Sequence, residues 1–248
     1  MKNKYELSKE ASELRDRLGE DDRSPVDIFR LIHKIEPLTL VFYPMGERIS
    51  GMCLKGADDV LIAINSSMTY GRQRFTMAHE LYHYFYDDMT TVICARDIGE
   101  VYDIEKDANV FASFFLAPPA ALSVAIKEIK MERSTLDIAG IIKLEQLFGL
   151  SRQAMLIRLI DEGELAPQET VNMRSQIISS ALALGYDDTL YRSLPEEKMQ
   201  MTYGRYIKRT EELLERGLIS NGKFEELLLE AFRADLVYGL NEGSELID

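Results

Sequence analysis

Three of the 248 residues are histidines, and two of them stand four apart with a glutamate directly after the first: His79-Glu80-Leu81-Tyr82-His83. Each residue of an α-helix advances about 100°, so these two imidazoles lie about 40° apart on one face, one turn above the other, and can reach one ion. Glu80 is turned about 100° from His79, so it stands beside such an ion instead of ligating it. From there it can take a proton from water, which makes metal-assisted hydrolysis the chemistry of this spacing. Zinc is the metal this donor pair suits.

A catalytic zinc takes three protein ligands and keeps a further position open. His33 lies in an earlier helical stretch, so a carboxylate has to complete the set. The acids downstream are Asp87, Asp88, Asp97, Glu100, Asp103, Glu105 and Asp107. Glu105 stands out by its face: Glu105, Ala108, Asn109 and Ala112 form a small-residue stripe that lets their helix approach the HExxH helix closely. Asp107 points about 200° away from Glu105. Asn109, one turn on, is placed to orient Glu105 as a supporting partner.

These residues need two helices to carry them. Phe75, Ala78, Leu81, Tyr82 and Phe85 make an apolar arc over a helix at 70–86, with the histidines at its edge. A second helix spans 103–117 and stops at Pro118-Pro119. Upstream, Leu38–Tyr43, Ile49–Leu54 and Val60–Ile64 read as a three-stranded meander. Before the strands come a helix at 6–18 and another opened by Ser24 as cap and Pro25 at its first position, ended by Pro37. After them, a helix near 138–148, a turn at Gly149-Leu150-Ser151 and a helix through Ile160 resemble a helix-turn-helix unit. Ala166-Pro167-Gln168 is the linker candidate, and amphipathic helices follow at 170–184, 195–216 and 221–239.

Composition narrows the partners. Acidic residues outnumber basic ones 42 to 29, a net charge of −13, which argues against direct DNA binding. Arg152 and Arg158 in the helix-turn-helix-like stretch face Glu145, Asp161, Glu162 and Glu164, a poor match for a phosphate backbone. No apolar run reaches the ~18 residues of a membrane span, and the first ten residues carry no apolar core of a secretory signal. With Cys53 and Cys94 as the only cysteines, the expectation is a reduced, cytoplasmic protein whose thiols are buried spectators.

Arg74-Phe75-Thr76-Met77-Ala78-His79-Glu80-Leu81-Tyr82-His83, then Glu105-Lys106-Asp107-Ala108-Asn109-Val110-Phe111-Ala112 and Leu116-Ala117-Pro118, resemble the ImmA/IrrE family of metallo-endopeptidases. The resemblance runs over about residues 10–165. It implies Zn2+ held by His79, His83 and Glu105, with Glu80 as general base. It also implies a protein substrate, a helix-turn-helix repressor whose cleavage switches on a mobile element or a stress response, so that the enzyme acts as an anti-repressor. A toxin–antitoxin arrangement fits too. Two departures stand out: Tyr82 where the family has glycine, and Leu-Ala-Pro where it has Leu-Met-Pro. Tyr82 is expected to narrow or reshape the pocket.

The expected fold is α+β. A zincin-like peptidase domain with a three-stranded sheet occupies 1–128, a helix-turn-helix-like segment packs on it over 129–166, and an all-α extension covers 168–248. Within the site, the strand Val60–Ile64 is the candidate to hold substrate as an added strand, with Ile62 and Asn65 as substrate-binding residues. Tyr43, Tyr70, Arg72 and Tyr84 are the candidates for stabilising an oxyanion. The competing function is a regulator that binds a repressor partner or DNA through its helical segments without proteolysis.

Overall fold

The computed structural model describes residues 2–88, 91–95, 103–133 and 135–239. Helix α1 (Lys4–Arg17) starts in a capping box, Asn3 accepting from the Glu6 N–H while the Glu6 carboxylate takes the Asn3 N–H. Its buried face carries Leu7, Ala11, Leu14 and, unusually, Arg15. The Arg15 guanidinium donates to the carbonyls of Asp21, Ser24 and Phe115, each at 2.6 Å. Those bonds explain why the helix expected to open at Ser24 does not form. The Ser24 carbonyl serves Arg15 and its N–H serves Asp21, and the chain forms only a 3-10 helix over Ile28–Lys34.

Strands β1 (Leu38–Tyr43), β2 (Ile49–Lys55) and β3 (Val60–Asn65) lie where the sequence places them, but they are not a meander. β1 runs parallel to β3, and only β2 and β3 form an antiparallel hairpin. The chain therefore crosses the top of β3 on its way from β1 to β2. Asn65 holds that crossing: its Oδ1 accepts from the Met45 N–H at 3.1 Å and its Nδ2 donates to the Ile49 carbonyl at 2.7 Å. Two further strands, β4 (Thr91–Ala95) and β5 (Met201–Gly204), make a five-stranded mixed sheet in the order β4-β2-β3-β1-β5. Of the described residues, β5 is the strand that corrects the all-α extension. It pairs antiparallel with β1, and Arg233 donates to its Thr202 carbonyl on the far side.

One face of the sheet is covered by α2 (Tyr70–Tyr86), against which α3 (Asp103–Leu116) packs. Phe111, Ala112 and Phe115 of α3 meet Tyr82 and Leu81 of α2 in a core that reaches from Leu7 to Leu165 and includes Met201. Helices α4 (Pro119–Arg133), α5 (Ile138–Phe148) and α6 (Arg152–Asp161) follow. Gly149 ends α5 at φ +64°, and the Ser151 side chain caps α6, which is the expected helix, glycine turn and capped helix. Both arginines of this unit are buried. Arg152 pairs with Glu145, which also accepts from Tyr191 at 2.8 Å, and Arg152 reaches the Met173 carbonyl at 2.9 Å. Arg158 pairs with Glu162, donates to Ser113 and lies over the Phe114 ring. Neither guanidinium faces outward as a DNA backbone would require.

The C-terminal part consists of α7 (Ile177–Ala183), β5, α8 (Arg205–Glu215), α9 (Asn221–Glu230) and α10 (Ala234–Tyr238), linked by short 3-10 turns. Among the described residues no single helix is long and apolar enough to cross a membrane. The bent pair α3–α4 passes on composition, but its large apolar side chains Phe111, Phe115, Leu122 and Ile129 are buried in the core.

Candidate metal centre

Helix α2 presents His79 and His83 toward α3, and the small residues Ala108 and Ala112 let α3 come close enough for Glu105 to meet them. The three side chains converge. His79 Nε2 lies 3.0 Å from His83 Nε2 and 3.3 Å from Glu105 Oε2, and His83 Nε2 lies 3.4 Å from Glu105 Oε1. Ligand atoms bound at about 2.0–2.1 Å to one tetrahedral ion stand about 3.3 Å from each other, which these separations match.

The partners on the other ring nitrogens show what the centre needs. His83 Nδ1 donates to Asp87 Oδ2 at 2.9 Å, and His79 Nδ1 lies 3.1 Å from Asn109 Oδ1. With Nδ1 protonated in each ring, both Nε2 atoms turn lone pairs inward, toward each other and toward a carboxylate. Three inward lone pairs in a buried pocket repel unless a cation sits between them, and the donor set His, His, Glu fits a divalent metal. Burial alone would raise the Glu105 carboxyl, yet hydrogen bonds and charge from His79 and His83 outweigh it and hold the group down at about 2.

Asn109 therefore supports the centre differently from the expectation: it meets His79, not Glu105. Asp87 is the partner that sequence reasoning missed. The signal for it is its i+4 spacing from His83, which repeats the spacing of the two histidines. Lys55 donates to the Asp87 carbonyl and fastens the end of α2 to β2. The rival acids are placed elsewhere. Asp107 accepts the Lys2 N–H, and Asp103 pairs with Lys106 near the surface. Asp97 and Glu100 lie outside the described residues.

Glu80 is fully buried on the side of α2 that β2 covers, next to Cys53, whose thiol burial pushes up to about 12. Cys53 is thus the inert buried thiol expected; the Cys94 side chain lies outside what is described. Tyr82 meets the His83 ring edge-on, with centroids 6.0 Å apart. Its ring is buried against Tyr86 and Phe111, with centroids 5.6 and 5.3 Å away.

The substrate residues need correction. β3 has β2 on one edge and β1 on the other, so it has no free edge for an added strand, and Ile62 is buried in its centre. Asn65 is a structural residue of the crossing loop. Among the oxyanion candidates, Tyr43 sits at the end of β1 against Phe232, and Tyr70 packs with Phe29 and the Leu190 cluster. The Tyr84 ring packs at a tilt against Phe85, with centroids 4.3 Å apart. Arg72 shares the helix face of His79, two turns earlier, about 10 Å along the axis.

A mixed sheet over an HExxH helix, with a carboxylate delivered by the next helix, has the layout of an HExxH metal site. Residues 46–160, just under half of the chain, match the IrrE N-terminal-like domain, Peptidase_M78. The chain is also 36% identical over 100 residues to the radiation response metalloprotease IrrE of Deinococcus deserti, a match over 37% of this chain and 34% of that protein. It thus spans about a third of the length of the curated relative it matches.

Proposed function

We propose that this protein is a zinc-dependent endopeptidase that cuts one bond in a protein partner, a helix-turn-helix repressor, and so releases a mobile element or a stress response from repression. The observation that carries the reading is the convergence of His79, His83 and Glu105 on one point with Glu80 one residue along the same helix. The radiation-response role in the name of the Deinococcus relative supports the stress-response branch.

His79, His83 and Glu105 would hold the zinc, which would supply Lewis-acid polarisation of a peptide carbonyl and acidify water. Glu80 accepts the proton of the attacking water as its oxygen bonds to the carbonyl carbon. The same carboxyl then gives that proton to the amide nitrogen as the C–N bond breaks. Asp87 and Asn109 keep both histidines in the tautomer that turns Nε2 inward. Among the described residues β4 is the outer strand beside β2, and this supports β4 in place of β3 as the strand to which a substrate would add.

The test incubates the helix-turn-helix protein encoded beside this gene with the zinc-loaded chain and with Glu80→Gln, and follows the products by intact mass. One discrete cut, absent with Glu80→Gln, is expected. A cut that persists with Glu80→Gln removes the general-base assignment. An intact partner that co-elutes with the chain favours the binding regulator.

A further inference from the structure

Gly51 lies in β2 directly above α2. A Cβ built on it would stand 2.6 Å from Thr76 Cγ2, 2.9 Å from the Ala63 carbonyl oxygen and 2.9 Å from Glu80 Oε1. Its φ is not in the left-handed region, so backbone freedom is not the reason for glycine here; space is. The strand is also distorted at this place. Ile49 pairs with Ala95 and Gly51 with Cys94, which leaves Ser50 as an extra residue, a β-bulge that bends β2 beside the buried glutamate.

The three neighbours differ in how they can yield. The Ala63 carbonyl belongs to a central strand paired on both sides, and Met52 opposite it fixes its place. Thr76 is β-branched, buried and stiff at χ1. Glu80 has three side-chain torsions and is the group that would move. We infer that Gly51 is a positioning residue for Glu80: the side chain it lacks leaves the space that sets where the Glu80 carboxylate stands beside the metal centre. This rests on the reading of Glu80 as the proton acceptor.

The experiment uses the full chain loaded with Co2+, whose visible absorption reports the ligand set, and titrates acetohydroxamate, a small metal-binding acid whose proton a neighbouring carboxylate accepts. Four proteins are compared: wild type, Gly51→Ala, Glu80→Gln and the double variant. Co2+ affinity and spectrum should agree within threefold in all four, because the ligands are untouched. Acetohydroxamate should bind about tenfold more weakly to Gly51→Ala and to Glu80→Gln, with no further loss in the double variant, as for two residues acting through one group. Wild-type binding by Gly51→Ala, or losses that multiply in the double variant, overturns the inference. Wild-type binding by Glu80→Gln instead overturns the reading of Glu80 itself. If Gly51→Ala does not fold, Gly51→Ala combined with Thr76→Ser and Glu80→Ala should recover Co2+ binding, because both side-chain contacts are then gone and only the Ala63 carbonyl has to yield; recovery with Thr76→Ser alone, Glu80 intact, counts against the inference.

Discussion

Asp87 offers the sharpest test of how the metal centre is supported. Its Oδ2 accepts the His83 Nδ1–H at 2.9 Å, and both side chains are nearly excluded from water, 0% exposed for His83 and 6% for Asp87. A charged acceptor in that position fixes the ring and sets its tautomer. Removing such a partner lowers metal affinity by about 10–100-fold, or about 1.4–2.7 kcal/mol. Asp87→Asn keeps a carbonyl that can accept the proton and loses only the charge, so a loss of about tenfold is expected. Asp87→Ala leaves Nδ1–H unpaired in a buried site, so its loss should approach a hundredfold. Competition with a chromophoric chelator at pH 7.5 measures both, with Asp88→Ala as the exposed neighbour that should bind like wild type. An Asp87→Ala protein that binds zinc within threefold of wild type refutes the argument.

Other expectations follow from packing and charge. At Gly149 the backbone is left-handed, and an added Cβ would lie 2.3 Å from Arg74 Nε, which bonds the Gly149 carbonyl while Nη2 bonds that of Val26. Gly149→Ala should cost about 3 kcal/mol and lower Tm by about 6–12 °C, read by circular dichroism; a Tm within 2 °C would show that Arg74 does not need that geometry. Arg152→Met leaves Glu145 as a buried charge without its cation and should cost about 3–5 kcal/mol in urea unfolding, against near-neutral behaviour if the pair is dispensable. Burial raises the Cys53 thiol and the Tyr86 phenol to about 12 each. Because these folded-state values exceed the unfolded ones, the unfolded chain loses its protons first. Stability is then complete below about pH 9 and falls as pH climbs toward 12, and a flat urea midpoint between pH 8 and 11 would contradict this.

The helix that carries the chemistry was legible in the sequence because a 3.6-residue period and a four-residue histidine spacing are both local properties. Glu105 was legible for a related reason: Ala108 and Ala112 announce where α3 can approach another helix. What the chain hides is what comes from distant segments meeting. Alternating apolar residues mark β1, β2 and β3 as strands but carry no record of their neighbours, so the parallel β1–β3 pairing and the enclosed position of Ile62 could not be read. β5 is four residues long and sits in a stretch with helical periodicity, so its pairing with β1 was invisible. Arg152 and Arg158 looked like surface charges because burial of an arginine depends on partners such as Met173 and Ser113, which are far away in sequence. Gly51 gives no local signal, since its neighbour Glu80 lies 29 positions on in the chain.

The central claim is that His79, His83 and Glu105 together hold a metal, and its most direct measurement is the metal content of purified protein by inductively coupled plasma mass spectrometry. Wild type and Glu80→Gln should each carry about one zinc per chain, and Glu105→Ala should carry close to none after dialysis. Full zinc occupancy in Glu105→Ala, or an empty wild type after zinc loading, would contradict the account.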